Sequence, residues 1–229
     1  MTLGDELKQI VADIFRRKWE TIDGRVVPDP DKIGFANEGV RFDGTVLYAD
    51  LADSTLLVDT SGPQFAAEIY KSYLHCAAKI ITSEGGAITA YDGDRIMAVY
   101  LGKFKDQSAA RSALKINHAV KQIINPALKT QYETEYQVNQ VVGIDTSPLL
   151  VAQTGIRGSK DLVWIGRAAN HAAKLCGLPA TFSSRISKEV YDVLPDTVKA
   201  SNGTAMWNQA TWTGLNNRII YESNWTWEI

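Results

Sequence analysis

The chain has 229 residues, 45% of them hydrophobic and 22% charged, a composition that excludes disorder, collagen and coiled coil as descriptions of the whole chain. The 24 Lys and Arg residues nearly balance the 26 Asp and Glu residues, so a broad basic face for nucleic acid is not expected. No apolar run approaches the roughly 18 residues that a membrane-spanning helix needs, and the N-terminus has no signal-peptide core. The chain has only two cysteines, Cys76 and Cys176, which favours a reducing, cytoplasmic location. From the charge and the hydropathy we expect neither a nucleic-acid nor a membrane partner.

The first 43 residues are predicted to form a helix followed by an arm. Apolar residues recur at helical spacing over 4–22, which predicts an amphipathic helix that packs on the domain or on a partner subunit. A membrane-surface helix is the alternative, and the acidic residues on its polar side weaken it. Residues 23–43 are rich in Gly, Pro and Asp and lack periodicity, as is typical of a linker. A single domain is therefore expected over 44–229.

The body of the chain alternates strand and helix patterns. β-branched and aromatic runs predict strands over 45–50, 136–146, 149–155 and 161–166, and a hairpin over 87–101 that turns at Asp92-Gly93. Helical patterns and their terminal signals predict helices from Pro63 to about Ser83, over about 106–124 before Pro126, and over 167–177. A short strand, a helix that starts near Ser184 or Ser187, and a C-terminal hairpin complete the chain. The order β-α-β-β-α-β predicts an α/β (α+β) class with a ferredoxin-like sheet, helices on one face and a β-rich C-terminal extension.

Two carboxylates occupy matched positions in this pattern. Asp50 ends the first strand, in YADLADST, and Asp94 lies at the hairpin, in YDGDRIMAVY. The first and third strands of a ferredoxin-like sheet are central neighbours, so the two side chains can converge and offer the hard oxygen ligands that Mg²⁺ or Mn²⁺ prefers. Two such ions could activate an attacking hydroxyl and neutralise a leaving pyrophosphate. The alternative is that Asp50 caps a helix and Asp94 is a turn residue.

Other polar residues could bind phosphate and sugar. Ser54 and Thr55 begin a helical segment whose backbone N–H groups could cradle a triphosphate, although the chain has no P-loop motif. Asn170 and Lys174 are four residues apart on one predicted helix face, and an amide and a cation at that spacing suit a sugar ring and a phosphate. A polar helix face in solvent is the alternative.

Together these three segments resemble the class III nucleotidyl cyclase catalytic domain over about residues 44–222. The family pattern F-A-D-I-x-x-[FS]-T appears as YADLADST (48–55), and G-D-x-x-[ML]-x-x-[FY] appears as GDRIMAVY (93–100). The pattern G-x-x-V-N-x-A-x-[RK]-[ML] appears as GRAANHAAKL (166–175), with Lys174 where most relatives carry Arg. The resemblance implies a cyclase homology domain that works as an antiparallel homodimer on a nucleoside triphosphate, with active sites at the interface.

The resemblance also implies roles for individual residues. Asp50, Asp94 and the backbone carbonyl of Leu51 would hold two divalent cations, Mn²⁺ or Mg²⁺, in one protomer. Asn170 and Lys174 of the other protomer would orient the ribose and stabilise the phosphate charge. The 3′-hydroxyl would then attack the α-phosphate and expel pyrophosphate, so that positioning and electrostatics provide most of the catalysis.

The positions that contact the base depart from the family pattern. Adenylate and guanylate cyclases carry polar residues where this chain has Ala90 and Val163, so its pocket is expected to discriminate poorly for adenine or guanine. Tyr48 replaces the usual Phe, which narrows the pocket and adds a hydroxyl. This pattern resembles the pyrimidine cyclases of bacterial Pycsar anti-phage systems, which make cyclic UMP or cyclic CMP as an alarm signal. It favours UTP over CTP as substrate.

Other assignments stay open at this stage. Many relatives place a Lys in the C-terminal hairpin where this chain has Leu215, so Arg218 is the candidate contact for the γ-phosphate. The competing descriptions are an adenylate cyclase with an atypical base pocket, a non-catalytic cyclase-like module that binds a nucleotide, and an unrelated ferredoxin-like domain. The last ranks lowest because the chain lacks the aromatic pattern of an RNA-binding sheet.

Overall fold

A nine-stranded mixed sheet with helices packed on it forms the body of the protein, in a computed structural model that describes residues 1–156 and 158–229. The helices are α1 (Leu3–Arg16), α2 (Ser54–Thr60), α3 (Pro63–Ser83), α4 (Lys105–Ala119), α5 (Asn125–Tyr132), α6 (Arg167–Cys176), α7 (Lys188–Val193) and α8 (Asp196–Lys199). The strands are β1 (Glu20–Asp23), β2 (Glu38–Leu51), β3 (Ala87–Asp92), β4 (Arg95–Tyr100), β5 (Gln140–Ile156), β6 (Ser159–Ile165), β7 (Ser184–Ser187), β8 (Ala200–Ser201), β9 (Thr204–Ala205), β10 (Asn208–Trp212) and β11 (Arg218–Ser223).

The strand order confirms the ferredoxin-like class. The main sheet runs β10-β11-β7-β5-β2-β4-β3, with β1 added along the start of β2 and β6 along the end of β5. β2 is therefore central and lies between β5 and β4, both antiparallel to it. The first and third strands of the predicted ferredoxin-like order, which we expected to be neighbours, are β2 and β4, and these two strands pair. β7, β10 and β11 form the predicted β-rich C-terminal extension.

Alternation along β2 separates two faces of the sheet. Leu47, Ala49 and Leu51 are buried in the main core, which lies between the sheet and the helices α3 and α4. Val46 and Tyr48 point to the other face and pack with Met97 of β4 and with the alanines of α6. Asp50 follows Tyr48 by two residues. It therefore lies on the face that α6 covers only in part.

The N-terminal helix is shorter than predicted. α1 ends at Arg16 rather than at residue 22, because residues 20–23 pair as β1 with the start of β2. The Asn37 side chain closes the helix by donating from Nδ2 to the carbonyl oxygens of Ile14 and Arg17, at 2.8 Å each. None of the residues of α1 is buried and Phe15 is 85% exposed, so the helix does not pack on its own domain, and packing on a partner subunit stays a prediction.

The predicted linker over 23–43 contains part of the central sheet. β2 begins at Glu38, not at residue 45, because Val40 and Phe42 are buried with Ile33 and Val151 beneath the start of the strand. The strand thus crosses position 43/44, where the sequence places a domain boundary. The division into an N-terminal region and a catalytic domain stays a prediction.

A strand and a helical run each continue past a proline where the sequence analysis predicted a break. β5 is one strand through Pro148, since this residue lies opposite Asp43 and the ladder with β2 continues on both sides of it. The helix predicted to stop before Pro126 continues as α5 after one π-helical turn over Val120–Ile124. Pro126 lies within this continuous helical run, and its missing N–H comes directly after the π-helical turn, where the regular hydrogen-bond pattern is already interrupted.

Most of the remaining predicted elements are confirmed, although the strand predicted from residue 136 begins only at Gln140. α3 has the predicted bounds. The 87–101 hairpin is β3 and β4, but it turns at Gly93-Asp94, one residue after the predicted Asp92-Gly93, because Asp92 still pairs with Arg95. α7 starts after Ser187, whose hydroxyl accepts a hydrogen bond from the Val190 N–H. None of the helices in the described residues combines the length and the apolar character needed to cross a bilayer.

α6 rests directly on β5 at Gly143. A Cβ atom at this glycine would lie 2.2 Å from the Ala172 carbonyl oxygen and 2.4 Å from the Cys176 backbone nitrogen. We expect Gly143→Ala to lower the free energy of unfolding by about 1–3 kcal/mol in urea titrations, because backbone atoms of the helix must move. Gly177→Ala is the matched control, since its nearest neighbours would be 3.7 Å away, and it should change stability by less than about 0.5 kcal/mol. Equal stability of the two variants would show that α6 is not seated on β5 as described.

Candidate active site

The structure brings the carboxylates of Asp50 and Asp94 together at one end of the sheet. Asp50 pairs across the β2–β4 ladder with Arg95, and Asp94 directly precedes Arg95 at the hairpin. Both side chains are partly buried. Burial and the charge of Asp94 raise the pKa of Asp50 to about 6, so the two groups are close enough to repel each other.

This carboxylate pair fits a site for divalent cations. The Asp94 Oδ2 atom is buried and makes no hydrogen bond within the described residues, which leaves a carboxyl oxygen without a partner. The same residues contain no cluster of three or more His, Cys, Asp and Glu side chains that could complete a coordination shell. Any cation here would therefore need further oxygen ligands from the backbone, such as the carbonyl of Leu51, and from a bound substrate.

Two residues beneath the carboxylates were missed by sequence reasoning. Tyr73 of α3 is fully buried and its hydroxyl has no hydrogen-bond partner in the described residues. Burial raises its pKa, and the charges of Asp50 and Asp94 add to that rise. Cys176 is buried nearby and its Sγ donates to the Val141 carbonyl at 3.1 Å. Tyr73 belongs to the apolar stripe of α3, so spacing alone could not separate it from ordinary core residues.

A pocket of about 360 Å³ lies beside Asp50 on the same face of the sheet. The residues that matter for its chemistry are Tyr48, Ala90, Asp92, Arg95, Met97 and Asp161. The Arg95 guanidinium lies 5.4 Å from the centroid of the Tyr48 ring and donates from Nη2 to Asp92 Oδ2 at 2.8 Å. Tyr48 and Ala90 were expected to line a base pocket. The signal that could have identified Arg95 is its position directly after Asp94.

Val163 does not line this pocket. It lies on β6, is 38% exposed, and Asp161, two residues earlier on the same strand, reaches the pocket instead. Leu51 is buried with its side chain in the helix-side core. Ser54 and Thr55 are the first two residues of α2, just after the end of β2, and Asp53 before them makes no side-chain cap to that helix.

Asn170 and Lys174 lie on the outer face of α6. Both side chains are exposed, and neither side chain makes a hydrogen bond within the described residues. The buried face of the helix consists of Ala168, Ala169, Ala172, Leu175 and Cys176, which pack toward the sheet. The two polar side chains therefore point away from the sheet that carries Asp50 in the same chain.

A buried carboxylate holds α6 in place. Asp145 of β5 has no exposed surface, and it contacts Arg167 Nη2 at 3.2 Å and His171 Nδ1 at 3.3 Å. Burial lowers the pKa of His171, and Asp145 Oδ2 makes no hydrogen bond within the described residues, so the His171 ring packs against this carboxylate without a hydrogen bond to it. Arg167 also donates to the Thr146 carbonyl at 2.6 Å. The sequence predicts no role for His171, and the structure places it as an anchor of the helix that carries Asn170.

Arg218 is not free to contact a phosphate in this arrangement. It opens β11 and forms an ion pair with Glu189, which also pairs with Arg167. Contact of Arg218 with a γ-phosphate would have to compete with Glu189, so its assignment to the triphosphate stays a prediction.

Comparison with known proteins gives close relatives over the whole chain. It is 51% identical over 231 aligned residues to a uridylate cyclase of Xanthomonas perforans and 48% identical over 231 to a uridylate cyclase of Burkholderia cepacia. Each alignment covers 100% of both chains. No protein-family model matches the chain.

A solved structure supports the fold. The crystal structure of the guanylyl cyclase Cya2 superposes with a TM-score of 0.69 at 18% sequence identity, over 83% of this chain and 95% of that one. At this level of identity the likeness concerns the fold and not the substrate.

Proposed function

The chain belongs to the uridylate cyclase family and is a nucleotidyl cyclase, and on this basis we propose that it converts UTP, in preference to CTP, to the 3′,5′-cyclic monophosphate and pyrophosphate. The observation that carries the proposal is the Asp50–Asp94 pair, two repelling carboxylates with an unpaired buried oxygen, beside a pocket of about 360 Å³. That volume is near the lower end of the range of about 300–1,000 Å³ for ligand pockets, which suits a one-ring base.

Asp50, Asp94 and the Leu51 carbonyl would hold the two divalent cations. Such ions lower the pKa of the attacking hydroxyl and neutralise charge on the leaving pyrophosphate. In the reaction the ribose 3′-oxygen forms a bond to the α-phosphorus and the bond from that phosphorus to the β-phosphate oxygen breaks. The 3′-hydroxyl proton passes to solvent. Ser54 and Thr55, next to Asp50 in the chain, are proposed to contact the triphosphate.

Asn170 and Lys174 are proposed to act on the substrate held by the partner subunit. The outward orientation of both side chains on α6 supports this assignment, because they face away from the carboxylates of their own chain. Asn170 would orient the ribose through its amide, and Lys174 would stabilise negative charge on the phosphates. The Asp145 contacts with Arg167 and His171 keep both groups in fixed positions by holding the helix.

The base pocket supports a pyrimidine as the substrate. Tyr48 and Ala90 line the pocket; the Tyr48 ring is proposed to leave too little room for a purine, and Ala90 presents no group that could recognise a purine edge. We further propose that the enzyme works as a homodimer in the cytoplasm, and that its product is a signal in anti-phage defence. The last assignment comes from the base-contacting positions Tyr48, Ala90 and Val163, whose pattern resembles the Pycsar pyrimidine cyclases.

A nucleotide-selectivity assay tests the proposal. Purified protein with Mn²⁺ is incubated with UTP, CTP, ATP or GTP, and cyclic products are quantified by chromatography. We expect UTP to be cyclised with a kcat/KM roughly 10-fold or more above those of ATP and GTP, because a purine does not fit beside Tyr48. Preferential turnover of ATP would identify an adenylate cyclase with an atypical pocket. Metal-dependent binding of UTP without any cyclic product would identify a non-catalytic module.

A further inference from the structure

Arg95 lines the pocket, and the proposed reaction assigns no role to its guanidinium group. Its side chain lies on the same sheet face as Tyr48 and Met97, at the first position of β4. Within the described residues, Nη2 donates to Asp92, whereas the buried Nε has no hydrogen-bond partner. A buried donor without a partner costs stability unless a ligand or water satisfies it.

The guanidinium is held in a defined position. The Tyr48 ring lies 5.4 Å from its central carbon, within the range of a cation–π interaction, and Asp92 holds one nitrogen from the other side. The Asp92 side chain is 78% exposed, so water screens its charge and the ion pair adds little to stability. Its main effect is to orient the Arg95 guanidinium. The result is a preoriented donor group in the wall of the pocket.

We propose that Arg95 selects uracil over cytosine by donating to the carbonyl oxygen at position 4 of the pyrimidine ring, an inference that rests on the proposed function. Arginine is always charged and can only donate. Uracil and cytosine share the carbonyl at position 2, and a donor at position 3 would favour cytosine, whose N3 accepts. Position 4 is the place where a fixed donor favours uracil, because cytosine carries an amino group there.

The other groups in the pocket do not make this distinction. The Tyr48 and Tyr91 hydroxyls can each donate or accept, so they can satisfy either base. Ala90 and Met97 have no hydrogen-bonding group for a base edge. The Asp161 and Asp92 carboxylates accept hydrogen bonds, from the Leu162 N–H at 2.7 Å and from Arg95 respectively, and a carboxylate cannot donate to the uracil oxygen at position 4. Arg95 is thus the fixed donor among the residues that shape the pocket.

A different role for Arg95 predicts a different result. Arg95 lies opposite Asp50 and its positive charge opposes the rise in the pKa of that carboxyl. If Arg95 served only to balance the charge of the Asp50–Asp94 pair, its removal would lower turnover of every nucleotide by the same factor. Selection at position 4 of the base instead predicts a change in the ratio between UTP and CTP.

The test uses Arg95→Gln and Arg95→Met in the full chain, with kcat/KM measured for UTP and CTP in Mn²⁺. We expect the ratio of UTP to CTP to fall roughly 10- to 100-fold in both variants, as for the loss of one charged donor in a buried site. The Met variant keeps the apolar stem over Tyr48 and serves if the Gln variant does not fold. Wild-type protein is also assayed with 4-thio-UTP, whose sulfur is a weaker acceptor; its kcat/KM should be reduced in the wild type and much less reduced, relative to UTP, in the variants.

Arg41→Gln is the matched control. Arg41 lies on β2 of the same sheet and pairs with Asp23 at 3.1 Å, but it is exposed and remote from the pocket. Its substitution should leave the ratio unchanged. An equal loss for UTP and CTP in the Arg95 variants, or an unchanged ratio, would overturn the inference while leaving the cyclase proposal intact. Wild-type protein that does not cyclise UTP would instead overturn the proposed function.

Discussion

Asp50→Asn is expected to lower UTP turnover about 1,000-fold, the effect of losing roughly 4 kcal/mol of transition-state stabilisation by a metal ion. The substitution removes one of the two carboxylates that face each other at the end of β2 and β4. Steady-state rates with saturating Mn²⁺ provide the measurement. Retained turnover would remove Asp50 from the metal site and would leave the carboxylate pair without a catalytic role.

The same variant should fold normally, which separates loss of chemistry from loss of structure. Burial and the charge of Asp94 raise the pKa of Asp50 from 3.8 to about 6. Above that pH the ionised carboxylate is less favourable in the folded chain than in the unfolded one, so the Asn variant without metal should melt no lower than the wild type. The advantage of the variant should shrink as the pH falls from about 6 toward 3.8, where Asp50 becomes protonated in the folded protein.

Added Mn²⁺ should reverse this order. Binding to the folded wild type raises its melting temperature by mass action, and the Asp50→Asn variant should lose most of that increase. Asp59→Asn is the matched control, because Asp59 is an exposed acid on the short helix that follows β2. It should keep both turnover and the Mn²⁺-dependent increase. Equal losses in the two variants would point to a general charge effect instead of a site.

Mixing two inactive variants is expected to restore activity if the active site is shared between subunits. Asp50→Asn inactivates the carboxylate side, and Lys174→Ala inactivates the α6 side. A dimer of one chain of each kind contains one site with both lesions and one with none. The purified mixed dimer has one intact site of its two, so about half of the wild-type activity per chain should return. Co-expression with two affinity tags, followed by rate measurements on the doubly purified dimer, provides the test.

The control for this mixing experiment combines Asp50→Asn with Asp94→Asn. Both lesions lie on the carboxylate side, so every site in the mixed dimer lacks one carboxylate and no activity should return. Recovery in this pair, or no recovery in the Asp50–Lys174 pair, would contradict a site built from two subunits. The outward orientation of Lys174 on α6 is the structural reason to expect sharing.

Local patterns predicted the elements that form the site. Alternating apolar residues and turn dipeptides located the β3–β4 hairpin, and helical periodicity located α3 and α6, since such signals depend on residues a few positions apart. The motif around Asp50, Asp94 and Asn170 indicated the cyclase family before the structure. Predicted strand and helix bounds were wrong where contacts with distant residues set them. One example is the start of β2, where Val40 and Phe42 are buried together with Ile33 and Val151.

The sequence by itself determined the strand and helix order, the carboxylate pair and the polar face of α6, because each depends on residue type and short-range spacing. Only the tertiary structure decided which side chains meet across the sheet. Arg95 is held over Tyr48, Asp161 replaces Val163 at the pocket, and Asp145 holds α6 through Arg167 and His171. These contacts join residues up to dozens of positions apart, and their strength depends on burial, which spacing along a chain does not encode.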